Sequence, residues 1–321
     1  MLAIARNNTI LPDYNIATDA LLLDVAKQSF RSGELTLLHE YNMDDCGNNA
    51  PFFISALKSQ NTQYSPIWRD TSPASYKASD EKIAPILIEH DGQVVLQGLV
   101  IDTIFRNARH TTRGSAWPKQ NQITTTLRID WLGNAYYCIL KGMYSNHRHD
   151  DVWLKDLGRV LEDSGYQFVC QPYQNEKLIQ VLTRTVLADL LTPNNRAVFF
   201  TYGALSDVHQ YELMQRSIFK TEQGYLGLGS HYLLPGDQVV LFDGAKTPFI
   251  VRRQLDSQGT WTGLYNLVSD CYLHGWMYGG YFGHTVLDED GNHVAGPPLN
   301  SADATNEQSD KVLRKQKFVL C

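Results

Sequence analysis

The sequence predicts an α+β chain, with helices packed on antiparallel strands and a small antiparallel β-barrel following them. Three observations carry that expectation. Residues 216–283 alternate strand-forming runs with tight-turn residues at short intervals. Apolar residues at helical spacing mark segments upstream of that stretch. Hydrophobic residues make up 43% and charged residues 19% of the 321, the balance of a folded chain rather than a disordered one.

In chain order, residues 1–12 carry no periodic pattern. Thr18 and Asp19 favour a helix start, Leu22, Val25, Ala26 and Phe30 follow at helical spacing, and Gly33 ends the run. Residues 34–40 read as a strand. Residues 43–63 and 70–82 are polar and read as surface loops. Asp91-Gly92 joins two β-rich runs, 83–89 and 93–104, into a hairpin. Residues 106–126 read as a basic, Thr-rich connection. Trp153, Leu157, Val160 and Leu161 mark a short helix, and Ile179, Leu182, Val186 and Leu190 a longer one. Leu205, Val208, Tyr211 and Ile218 suggest a third.

The barrel stretch opens with Gly224, Gly227 and Gly229, read as tight turns. Pro235-Gly236-Asp237 is a turn, since proline pre-sets φ and glycine accepts positive φ. Residues 239–242 read as a strand, 243–247 as a hairpin loop, 249–251 as the return, 256–263 as a looser loop and 264–273 as a further strand. After Gly283 the chain turns polar, and Lys317-Phe318-Val319-Leu320 return as a closing strand. The organisation expected is an α+β region at 1–215, an SH3-like antiparallel barrel at 216–285 and a polar loop with its closing strand at 286–321, all in one compact unit.

Composition excludes several functions. Lys and Arg number 28 and Asp and Glu 34, so the net charge of −6 argues against sequence-independent nucleic-acid binding. No apolar run reaches membrane-spanning length. Five scattered cysteines without a CxxC read as reduced thiols of a cytoplasmic chain. His147 and His149 beside Asp150 and Asp151 read as a capped surface loop rather than a metal centre, and no metal site is expected. Glycine-rich 224–229 is not followed by a helix start, as a phosphate loop would be.

GYLGLG, PGD, the strand after it, TPFIVR and CYLHG occur here in one order. That order resembles the C-terminal region of fungal heterokaryon-incompatibility (HET) proteins. Leu11-Pro12-Asp13-Tyr14, the SGEL-TLLHE run and the Tyr64–Asp70 segment resemble the same family, although Tyr64 and Ile67 depart from its W-x-P-D-W pattern. Leu11 lies close to Met1, so a preceding HET domain is expected to be absent. Chains of this type also resemble the stand-alone Diels–Alderases of sordarin-type diterpene pathways. That likeness implies a cofactor-independent pericyclase acting on an apolar terpenoid or polyene. Such a step needs no nucleophile, metal or redox cofactor, so none is expected.

The site implied lies at CYLHGWMYGGYF, residues 271–282. Core filling alone accounts for its aromatics. The family commonly has Tyr-x-His-Gly-Ile-Met-Asp-Gly-Glu here, whereas this chain has Trp276, Tyr278 and Gly280 in place of the Ile, the Asp and the Glu. An apolar wall with few polar groups suits a hydrocarbon ligand. His274, Tyr278 and Arg69 are the candidate catalytic hydrogen-bond donors. Trp276, Trp68, Tyr14, Tyr281 and Phe282 are the candidate substrate-binding residues. The partner implied is a small apolar metabolite, with no nucleic acid and no membrane insertion, and a homo-oligomer is compatible with it. The alternative is a non-catalytic interaction or scaffold protein related to heterokaryon incompatibility.

Overall fold

A computed structural model describes residues 17–39, 41, 76–79, 87–88, 93–109, 181, 184–185, 188, 216–279, 286–287, 293–295 and 313–321. Helix α1 spans Thr18–Arg31. Leu22, Ala26 and Phe30 bury its inner face, as their spacing predicts. The chain leaves α1 through Gly33, whose φ of 80° suits a residue without Cβ.

The strand expected at 34–40 is instead a short helix, α2, at Thr36–His39. Leu35, Leu38 and His39 are buried. That is one helical face, and so short an apolar run does not distinguish helix from strand.

Eleven strands lie among the described residues. They are β1 (Leu87–Ile88), β2 (Val94–Arg109), β3 (Arg216–Thr221), β4 (Leu226–Ser230), β5 (Gln238–Phe242), β6 (Phe249–Leu255), β7 (Trp261–Asp270), β8 (Tyr272–Leu273), β9 (Val286–Leu287), β10 (His293–Ala295) and β11 (Leu313–Leu320). Strands β1 and β2 pair as the Asp-Gly signal predicts, with Ile88 opposite Val94. Strand β2 runs on to Arg109, through residues expected to be a connection. Ile218 lies on β3, not on a third helix. Both faces of β3 are covered, which removes the alternation that marks a half-buried strand.

Strand β2 organises the sheet. Its first part pairs with β5 from Gly98 to Thr103, and its last part with β3 from Ile104 to Arg109. Irregularities at Val100/Asp102 and Ile104/Arg106 fall where it passes from one neighbour to the other. Strand β11 pairs antiparallel with β2, from Lys315 opposite Leu99 to Leu320 opposite Val94, and meets β7 at Tyr265. Pairing therefore closes a ring, β2–β5–β6–β7–β11 and back to β2. Closure removes exposed edges from these strands. The closing strand expected at 317–320 is present and begins earlier, at Leu313.

A row of buried rings packs within the barrel. Centroids lie 5.2 Å apart for Tyr265 and Phe318, 5.4 Å for Phe318 and Phe242, and 5.3 Å for Phe242 and Phe249. His39 of α2 stands 4.7 Å from Phe249 at the far end. Such spacings suit tilted and edge-to-face contacts.

Gly227 and Gly229 are not turn residues. They lie inside β4, where a Cβ on Gly227 would sit 2.2 Å from the Phe219 ring. Gly227 leaves room for that buried ring, and Gly229 leaves room for the Ile250 side chain, which a Cβ there would approach to 2.6 Å. Gly224 does occupy a turn, at φ 96°.

Candidate functional site

Residues 271–278 leave β7 and fold over β4. His274 N–H donates to Leu226 O at 3.0 Å, Gly275 turns the chain at φ 88°, and Trp276 N–H closes the turn on Leu273 O. Met277 Sδ accepts from Leu273 N–H at 3.3 Å, and Met277 O accepts from Lys77 N–H at 2.8 Å.

This backbone buries His274, Trp276 and Tyr272 and leaves Tyr278 53% exposed. His274 Nδ1 shares a 2.9 Å hydrogen bond with the Tyr272 hydroxyl. Trp276 stands edge-on to Tyr225, centroids 5.8 Å apart. Burial pushes the Tyr225 phenol above its ordinary range; the neighbouring Trp276 indole works against this, and Asp102 adds a smaller upward push. Asp102 itself accepts from Thr103 N–H at 2.9 Å and Gln223 N–H at 2.8 Å, anchoring the turn that leads to Tyr225. Tyr76 lies 6.4 Å from Tyr272 and 6.1 Å from Tyr278, and its hydroxyl donates to Ala188 O.

The structure thus brings His274, Trp276 and Tyr278 onto one turn beside Tyr76, Tyr225 and Tyr272. His274 and Trp276 are packed into the interior, and Tyr278 alone of the three reaches solvent. Arg69, Trp68, Tyr14, Tyr281 and Phe282 lie outside the described residues, as do His147 and His149.

A second buried group adjoins this turn, and sequence reasoning missed it. Asp270 at the end of β7 faces Arg216 NH1 at 3.5 Å and His39 Nδ1 at 3.5 Å. Thr247 Oγ1 lies 3.4 Å from the same His39 nitrogen. Ser269 Oγ donates to Asp270 O and accepts from Ser230 N–H. The partners lie far apart in the chain, so no local motif could reveal them. A hydrolase relay needs its nucleophile and its carboxylate on opposite nitrogens of the histidine. Here Thr247 and Asp270 share one, which does not suit that chemistry.

Cys271 belongs to the same group. Burial pushes its thiol well above the ordinary range; Asp270 adds to this and Arg216 opposes it. A thiol so held is a poor nucleophile. Among the described residues, no group of three or more His, Cys, Asp or Glu is placed to hold a metal ion. No helix among them is long and apolar enough to cross a membrane.

Comparison with known proteins gives two matches. Residues 197–288 match the Het-6 beta-barrel domain family. Over 61 residues the chain is 41% identical to "Heterokaryon incompatibility protein 6, OR allele" of Neurospora crassa. That stretch is 19% of this chain and 8% of the Neurospora protein. No solved structure matches. The matched segment holds β5, β6 and β7 of the ring, while β2 and β11 come from outside it. The chain carries a HET-like barrel region, as the order of its motifs predicts.

Proposed function

We propose that this chain is a non-catalytic interaction module of the heterokaryon-incompatibility type. The observation that carries this reading is the filled ring: packed aromatic side chains run through it from Tyr265 to Phe249. Such an interior stabilises a scaffold and leaves function to the surface. The likeness to a Neurospora incompatibility protein supports the same reading. Native mass spectrometry of the full chain purified from a filamentous fungus tests it. The expected result is a stoichiometric complex with a discrete protein. A free chain carrying an extractable apolar small molecule overturns it.

One observation favours the pericyclase reading as a second. Tyr278 projects from the turn with its ring half exposed, 6.1 Å from Tyr76. A phenol there is a hydrogen-bond donor beside aromatic surface, the pairing that would polarise a bound dienophile. The test is binding of the fluorescent probe 1-anilinonaphthalene-8-sulfonate to the native chain. Enhanced fluorescence that Tyr278→Ala abolishes supports a ligand pocket at the turn; no enhancement counts against it.

A further inference from the structure

The β6–β7 hairpin runs past the barrel. Every residue from Leu255 to Gly263 is exposed, and large apolar side chains stand on this arm, with Leu255 56% and Trp261 45% exposed. Exposed tips of this kind are ordinarily polar and loose. This one is built firmly. Asp256 Oδ1 accepts from Gln258 N–H and Thr260 N–H, each at 2.8 Å, and Asp256 N–H donates to Thr260 O at 2.8 Å. Leu255 lies opposite Trp261 in the ladder. The indole N–H donates to Leu264 O at 3.1 Å, and the ring rests edge-on against buried Tyr265. Arg253 lays its guanidinium over the indole at 5.1 Å, and among the described residues its side chain makes no hydrogen bond or ion pair.

Arg253, Leu255 and Trp261 therefore share one face, pre-set in conformation and incompletely covered. Tryptophan and arginine dominate binding hot spots, and fixing them beforehand lowers the entropy lost on association. The backbone at this position is already engaged. Thr262 Oγ1 accepts from Leu264 N–H, Leu264 O takes the indole, and Cys321 N–H caps Tyr265 O. An incoming strand finds no ladder here, so recognition runs through side chains.

Resting on the interaction-module reading, we infer that this face docks a partner-protein segment carrying an Asp or Glu carboxylate beside a large apolar side chain. The carboxylate meets Arg253 in the fork geometry that guanidinium favours. The apolar group covers Leu255 and Trp261. A symmetric pairing of two arms is disfavoured, because it sets Arg253 against Arg253. A net charge of −6 and a single uncommitted cation on the arm disfavour an anionic membrane.

The test is selection of displayed random dodecapeptides on the full chain, followed by affinity measurement on synthetic winners. Enriched peptides should pair Asp or Glu with Leu, Phe or Trp. Trp261→Ala and Arg253→Gln should each weaken them roughly tenfold or more, while circular dichroism shows that both variants remain folded. Arg253→Glu should bind the same peptide once its acid is replaced by lysine. Winners that lack an acid, or that bind all three variants as tightly as the parent, overturn the inference. So does Trp261-dependent self-association in sedimentation, or Trp261-dependent pelleting with phosphatidylserine vesicles. If peptides bind but map to another surface, the arm is wrong and the module reading stands. If no peptide binds any surface, both fall.

Discussion

Two aspartate–arginine pairs hold the barrel, and they differ in kind. Asp237 and Arg252 meet as a fork, Nε to Oδ1 at 2.7 Å and NH2 to Oδ2 at 2.9 Å. Asp237 also accepts from Leu234 N–H at 2.7 Å, and Arg252 donates to Tyr232 O at 2.9 Å. The hydrogen bond to Asp237, then burial against it and the Asp237 charge with it, leave the Arg252 guanidinium above its ordinary range. Asp270 and Arg216 stand 3.5 Å apart, both buried, and Asp270 also meets His39 Nδ1 at 3.5 Å. The first pair staples one turn to the neighbouring strand, and its strength is geometric. The second ties β3, β7 and α2 together, and its importance lies in what it connects. A buried charge left without its counter-charge has nowhere to go, whereas a partly exposed one turns to water.

The largest break in this comparison is Asp270→Ala. It removes the Asp270 counter-charge from buried Arg216 and should cost about 3–5 kcal/mol, read as a lower denaturant midpoint. A loss below about 1 kcal/mol would show that water already reaches the pair. The double variant Arg216→Met with Asp270→Leu sharpens the point. Removing both charges together should recover most of the single variant's loss, because apolar replacements of similar volume are often neutral or better. If the double variant is no more stable than the single one, the latch acts by something other than charge balance. Asp237→Asn comes next, at about 1–3 kcal/mol. The Arg252 side chain keeps 25% of its surface in water and its bond to Tyr232 O, so losing the counter-charge costs only a modest amount.

These pairs also mark how far the sequence could be read. Asp237 follows Pro235-Gly236, a turn visible from residue types alone, and the arginine that staples it lies on the next strand. Short-range chemistry of that kind predicts the Asp-Gly hairpin, helix α1 and the run from β5 to β7. Strand β2 is different. Its second half mixes polar and apolar residues without regular alternation, and its pairing with β3, a strand more than a hundred residues away in the chain, leaves no local signal. Glycines 227 and 229 read as turn residues because spacing says nothing of the Phe219 ring that presses on the first or the Ile250 side chain that presses on the second. The Asp270 latch joins residues from three distant stretches, and each alone is an ordinary side chain. Among the candidate site residues, aromatic crowding left Trp276 open to a core role or a ligand-facing one, and the chain buries it. Crowding could not tell that His274 faces Tyr272 while Tyr278 faces solvent, since Gly275 reverses the chain between His274 and Tyr278.

A third carboxylate, paired with lysine rather than arginine, gives the smallest effect. Asp243 in the β5–β6 turn meets Lys315 of the closing strand at 3.0 Å. Burial raises the Asp243 carboxyl to about 6 and lowers the Lys315 ammonium. The nearby cation favours the ionised carboxylate, yet burial has the larger influence. Between roughly pH 4 and 6 the folded chain holds a proton that the unfolded chain has released. Stability should therefore fall as pH rises through that window, and this group should add no slope outside it. The slope should be well under the about 1.4 kcal/mol per pH unit of a full proton, since the site is part-exposed and screened. Comparing denaturant midpoints of the parent and Asp243→Asn isolates the term: the parent should decline relative to the variant from pH 4 to 6. Lys315→Met should push the decline to higher pH, because removing the cation leaves burial unopposed. A parent that gains stability over the variant in that window would mean that the ammonium, not burial, governs Asp243, and that this pair resembles the Asp237 staple more than the Asp270 latch.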